Sequence, residues 1–192
     1  MDWLTFANEQ DAISNRLYNE LRSAVERALG VRPRDGWEAI VLRRVVSVAR
    51  EFYRERTERA SSDRLRAALS TLSAEVGEML AKTTDQENEA AQVNLITRIL
   101  AQSVTNYITE VAVTEEGGEH DKVWLSMEDA KVRPSHAAAH GQRVKVGEKF
   151  TVGGHKMSRP GDVTAPISEW ANCRCVEFVL PRADNIAASL AS

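Results

Sequence analysis

Through most of the chain apolar residues recur every three or four positions; near Gly117 the rhythm stops. Ile13, Leu17, Leu21, Ala24 and Ala28 draw one apolar stripe, which predicts a helix from about Asp11 to Leu29. Gly30 closes it and Pro33 forbids its continuation. Asp35 is placed to cap a second helix whose buried face uses Trp37, Ile40, Val41, Val45, Val48, Ala49 and Phe52. Ser61, Ser62 and Asp63 supply caps for a third, with Leu65, Leu69, Leu72, Val76 and Met79 stepping by four, three, four and three. That seam is too short for a free coiled coil, so packing within the chain is expected ahead of an oligomer interface. Thr84 or Asp85 can cap a fourth helix. Glu87 and Glu89 favour its first turn through the helix dipole, and Val93, Ile96, Leu100, Val104, Tyr107 and Val111 share one face. It should fade near Thr114, ahead of the Gly117-Gly118 breaker.

After Gly118 the texture becomes rich in Gly, Pro and His, with short runs that read as strands: Val123–Leu125, Arg143–Val146, Phe150–Val152 and Val176–Leu180. Gly147 and Gly153-Gly154 mark turns. A short helix is expected from Ser135 to His140, capped by Ser135 and closed by Gly141. The fold class is therefore α+β: a bundle of about four helices over residues 1–117, a small domain with short antiparallel strands over 118–182, and a tail over 183–192 that frays or forms a short helix.

Composition narrows the functional classes. The chain has 192 residues, 43% hydrophobic and 28% charged, as an ordinary globular protein does. A net charge of −3 argues against non-specific DNA binding by the whole chain. Six arginines between Arg43 and Arg59 lie among Glu51, Glu55 and Glu58, which reads as a salt-bridged solvated face, with a phosphate- or portal-facing surface as the alternative. No run of 18 apolar residues exists, so no membrane span is expected, and the start of the chain lacks the features of a secretory signal, which places the protein in a cytoplasm. The only cysteines, Cys173 and Cys175, stand too close in sequence for an easy structural disulfide; free thiols or metal ligands are expected.

The region from Lys122 to Cys175 carries an ordered set of motifs: Trp124 on a strand; Asp129, then Val-Arg-x-x-His ending at Arg133 and His136; Gly141-Gln142; Phe150 on a strand; Pro160-Gly161-Asp162; and Asn172-Cys173-Arg174-Cys175. In that order the set resembles the Mu F-like family of phage head-morphogenesis proteins. The resemblance implies a minor head protein of a tailed phage or prophage. Such a protein associates with the portal protein and capsid components, touches packaged DNA in some settings, and assists head assembly, DNA packaging or ejection. Its place would be the virion interior near the portal, and the host cytoplasm during assembly. One position departs: where the family pattern has Leu-Asp-Gly, this chain has Ala139-His140-Gly141, so a role resting on that acid does not carry over.

Residue chemistry leaves several site readings open. His136 and His140, four apart on a helix, share a face, and with Cys173 and Cys175 they make a His₂Cys₂ set chemically suited to structural zinc, although C-x-C is tighter than a standard finger. The competing reading is no cofactor at all, with His136 and the cysteines packed in a small core. Asp129 and Arg133 are expected to pair in a salt bridge before Pro134, or to form a polar site with His136. Trp124 and Trp170 are expected as core anchors, and Gly161 as the positive-φ residue of a turn. An enzyme is the rival to the assembly role: a hydrolase or nuclease built on His136, Arg133, Asp129 and His140, or an ADP-ribosyltransferase like some relatives. The transferase would need a Ser-Thr-Ser strand together with a Glu-x-Glu pair, and the chain has no Ser-Thr-Ser. Ser135 and His136, adjacent on a helix, do not face each other, and no glycine-rich phosphate loop is present.

Overall fold

The computed structural model describes residues 3–30, 36–83, 89–115 and 117–182. Four long helices come first: α1 (Trp3–Gly30), α2 (Trp37–Thr57), α3 (Asp63–Thr83) and α4 (Glu89–Thr114). A small antiparallel part follows: β1 (His120–Leu125), α5 (Pro134–Ala139), β2 (Arg143–Lys145), β3 (Phe150–Val152), β4 (His155–Met157), α6 (Ile167–Trp170) and β5 (Val176–Pro181). The expected α+β architecture is thus present. Pro33, Asp35, Thr84, Asp85, Glu87 and the 183–192 tail, to which turns, caps and fraying were assigned, lie outside the described residues.

Helix α1 starts at Trp3, about two turns earlier than the Asp11 start expected. The reason is tertiary. Phe6 packs edge-on against Phe178 of β5, with ring centroids 4.7 Å apart, in a small cluster with Leu125 and Val176. A single aromatic facing a distant strand leaves no periodic signal. At α2 the N-cap is Gly36, which offers no side-chain cap. At α3 the cap is as expected: Ser62 Oγ accepts from the Leu65 N–H at 2.9 Å. The α3 seam is used within the chain, since Leu65, Leu69, Leu72, Val76 and Met79 are all buried and α3 packs on α2 and α4. Arginines of α2 and its C-terminal end pair with other helices, Arg44 with Glu20 at 3.4 Å and Arg59 with Glu115 at 3.0 Å, while Glu55 takes Arg16 at 2.7 Å.

Helix α4 is the axis of the molecule. The other three long helices pack on it, and so does β5. It is therefore buried nearly all round from Leu95 to Asn106, and its second face carries Gln102, Thr105, Asn106 and Thr109 into the interior. One continuous core runs from Leu17 through the helices to Trp124, Phe150, Trp170 and the two cysteines.

The three-stranded sheet has the order β2-β1-β5, every pairing antiparallel. Its long-range pair aligns His120 with Pro181 and Leu125 with Val176. β3 and β4 form a separate hairpin, with Val152 opposite His155. The residues between, Gly153 and Gly154, sit at φ 57° and 82°, which fits a type I′ turn. The β4 strand was not expected: of its three residues only Met157 is buried, and three positions are too few to show alternation. Likewise α6, four residues long, is shorter than any periodic signal.

Two expectations at α5 need correction. Its N-cap is Arg133 with Pro134 in the first turn, so Ser135 is inside the helix rather than its cap. The helix also ends at Ala139. His140, at φ −54° and ψ 132°, has already left it.

Candidate functional site

The motif residues converge on the junction of α5, the turn after α6, and α4. Pro134, with its fixed φ and missing N–H, starts α5 so that His136 falls one turn in and points inward. His136 is 1% exposed, and its ring stands edge-on to Trp124 at 5.4 Å between centroids. Trp124 in turn meets Phe150 edge-on, also at 5.4 Å. Trp170 is fully buried and its indole N–H donates to the Ala165 carbonyl at 3.0 Å. Both tryptophans are core anchors.

After Trp170 the chain reverses through Asn172, whose φ of 54° is left-handed. Cys173, Arg174 and Cys175 follow as buried, half-buried and buried, the alternation of extended chain. Both sulfurs thus turn inward to the same nitrogen: His136 Nδ1 is 3.5 Å from Cys173 Sγ and 3.4 Å from Cys175 Sγ. The three donor atoms lie within 4.8 Å of one another. Both cysteines are free thiols. Arg174 turns the other way and binds Asp129 with two hydrogen bonds, 2.6 and 2.8 Å.

That pairing replaces the expected Asp129–Arg133 bridge. The Arg133 guanidinium donates instead to the Ala171 carbonyl, and its neighbour Lys131 donates its backbone N–H to Asp129 at 2.9 Å. The Arg174 guanidinium holds the Asp129 carboxyl below its usual range. The acid beside His136 is Glu169, whose Oε2 lies 3.3 Å from Nε2 and accepts from Ser135 Oγ at 3.0 Å. His140 is elsewhere: its Nδ1 accepts the Ser126 N–H at 3.2 Å, and its Nε2 is 3.9 Å from Glu128. The four-residue His₂Cys₂ set is therefore reduced to His136, Cys173 and Cys175.

The thiols influence each other strongly. Burial pushes Cys173 up, but hydrogen bonds from Cys175 and His136 outweigh it and hold it well below the usual thiol range. Cys175 goes the opposite way, raised by Cys173 and then by burial.

Pro160-Gly161-Asp162 is a turn, as expected, but it is also a joint. The Asp162 N–H reaches the Arg159 carbonyl at 3.3 Å, with Gly161 at φ 80°. Asp162 accepts the Ser158 N–H at 2.6 Å and the Thr164 N–H at 3.0 Å, together with both hydroxyls. Burial pushes its carboxyl up, yet these bonds win and leave it below the usual range. Helix α4 grips the turn: Asn106 donates to the Pro160 carbonyl at 3.0 Å, and a Cβ on Gly161 would lie 2.7 Å from Gln102 Oε1. Arg159, 2% exposed, stacks 3.7 Å from the Tyr107 ring centroid and binds Glu75 of α3.

Sequence reasoning missed Glu169, Gln102, Arg159 and Glu75. Arg159 opens the Arg-Pro-Gly-Asp segment, and that position is the one signal the sequence offers for it. A polar cleft of about 490 Å³ lies between α1, α4 and the cysteine turn, with Asp11, Asn15, Arg98, Arg133 and Arg174 among its walls.

Three long helices around a central α4, joined to a small antiparallel module closed by a His/Cys cluster, make this an α+β protein. The model of the phage Mu protein F like family matches residues 57–178, which is most of the chain, and the protein belongs to that family. It is also similar to an NAD(+)--arginine ADP-ribosyltransferase of Enterococcus faecalis, 35% identical over 101 residues, which cover 50% of this chain. The match spans only 20% of that relative's length. No solved structure matches.

Proposed function

We propose that this chain is a minor capsid protein that associates with the portal and assists head assembly and DNA packaging or ejection. One observation carries the reading: the family match takes in α3, α4 and the antiparallel part together, so the matched unit is the joined structure and not a detached motif. In this reading the protein lies inside the virion near the portal, and in the host cytoplasm while heads assemble. Among the described residues no helix is long and apolar enough to cross a membrane. The α2 surface around Arg43, Arg50 and Arg54 is the candidate for contact with the portal or packaged DNA.

Mass spectrometry of purified virions, with capture of portal complexes by the tagged full chain, tests the proposal. A few copies per particle together with portal in the captured complex is the expected result. Absence from both would overturn it.

The transferase-named relative supports a second, weaker reading, an NAD-dependent enzyme. The region it shares is a fifth of that protein, and the acid beside His136 is the buried-side Glu169 rather than Asp129. Transfer of radiolabel from NAD to an arginine-rich acceptor would favour this reading over the assembly role.

A further inference from the structure

The His/Cys cluster has the dimensions of a metal site. Zinc bonds of about 2.3 Å to sulfur and about 2.0–2.1 Å to imidazole nitrogen, at a tetrahedral angle, set sulfur and nitrogen about 3.5 Å apart. The two edges in this structure are 3.5 and 3.4 Å, from His136 Nδ1 to Cys173 Sγ and to Cys175 Sγ. Two soft sulfurs and one imidazole select zinc over hard cations, which take oxygen.

The surroundings fit as well. The other ring nitrogen, Nε2, lies 3.3 Å from Glu169, and Ser135 Oγ fixes that carboxylate. Nε2 has no hydrogen-bond partner among the described residues, which leaves the Glu169 carboxylate as the group beside it, while Nδ1 faces both sulfurs. A carboxylate behind a ligating histidine is the usual orienting partner in such centres. Gly153 makes room for it: at φ 57°, its Cβ would stand 3.1 Å from the Glu169 carboxyl carbon. A void of about 10 Å³ is bordered by His136, Cys173 and Cys175, with Arg133 and Asn172 in its wall. That is about the volume one water or ion needs.

We propose that His136 Nδ1, Cys173 Sγ and Cys175 Sγ bind one zinc ion, that Glu169 orients His136 as a positioning residue, and that a water fills the fourth position. His140 takes no part. The ion would tie α5 to the turn before β5, two segments that meet only through tertiary folding. The site is independent of the portal reading, and its failure would leave that reading untouched.

The test uses the full chain, expressed with zinc and measured by elemental analysis, followed by cobalt exchange. About one zinc per chain is expected, and the cobalt form should show thiolate-to-metal charge transfer and the d–d bands of a tetrahedral ion. Cys173→Ser, Cys175→Ser and His136→Ala should each lose the metal, and His140→Ala should keep it. Glu169→Gln should weaken zinc by about 10–100-fold in competition with a chelator. Where a ligand variant fails to fold, the cobalt spectrum of the unmodified chain still decides. Chain free of zinc, cobalt without charge transfer, a Cys173–Cys175 disulfide in the purified protein, or metal lost with His140→Ala would each overturn the proposal.

Discussion

Gln102, in the middle of α4, donates its side-chain amide to the carbonyl oxygen of Cys175 at 2.7 Å. The same amide is 3.6 Å from Cys173 Sγ, and its oxygen lies against Gly161. One helical side chain therefore holds the cysteine turn and lies against the Pro-Gly-Asp turn, and Asn106, one helical turn on, holds that second turn through Pro160. The antiparallel part is built onto α4 and not merely tethered after it.

That joint makes Gly161 harder to replace than other glycines of the motif. Gly161 and Gly141 sit at nearly the same φ, 80° and 77°, but nothing lies within 4 Å of a Cβ at Gly141. Gly141→Ala should cost the left-handed strain alone, about 1–2 kcal/mol. Gly161→Ala should cost about 1 kcal/mol more, because Gln102 must leave its place and its bond to Cys175. Urea unfolding of the two variants measures the difference; equal losses would show that the contact with Gln102 is unimportant.

The buried Arg159–Glu75 pair supports a second prediction. Burial pushes the Glu75 carboxyl up even with Arg159 beside it, so removing the arginine strands an acid in the interior. Arg159→Met should destabilise by about 3–5 kcal/mol, and the double variant Arg159→Met with Glu75→Leu should recover much of that loss. A double variant no better than the single one would mean that Arg159 acts chiefly through the Tyr107 ring it covers.

Asp162 gives the molecule an acid-sensitive element. Its folded-state carboxyl sits below the ordinary range, whereas the unfolded chain titrates near about 3.9. The depressed value means that its contribution is fully present above the unfolded pKa and is lost as pH falls through the folded one. Unfolding free energy measured down through the acid range should fall more steeply for the unmodified chain than for Asp162→Asn. Parallel curves would place the acid sensitivity elsewhere.

Because one apolar core spans the helices and the antiparallel part, the two should unfold together. Far-ultraviolet circular dichroism reports mainly the long helices, while fluorescence includes Trp124 and Trp170. Their melting curves should coincide, and Phe6→Ala, which empties the contact between α1 and β5, should shift both by the same amount, about 3 kcal/mol. Separate transitions would instead support the expected division near residue 118.

The helices α2, α3 and α4, the glycine breaks and the ordered motif from Trp124 to Cys175 were legible in the sequence, because each rests on local rules: apolar periodicity, capping, and the φ range open to glycine. Ser62 capping α3 and Gly161 in its turn are instances. What tertiary structure alone decided was partnership. Asp129 chose Arg174, 45 residues away, over Arg133 four away, because the Asn172 reversal aims Arg174 outward at it while Arg133 turns to the Ala171 carbonyl. Glu169 reached His136 across a fold that brings α6 against α5, and His140 left the cluster because its helix ended one residue too soon. Periodicity gives the polar face of α4 no partner: Gln102 and Asn106 are buried against the Cys175 and Pro160 carbonyls, 73 and 54 residues later. Periodicity shows which side of a helix is apolar; it carries no information about a polar side chain whose partners are distant backbone carbonyls.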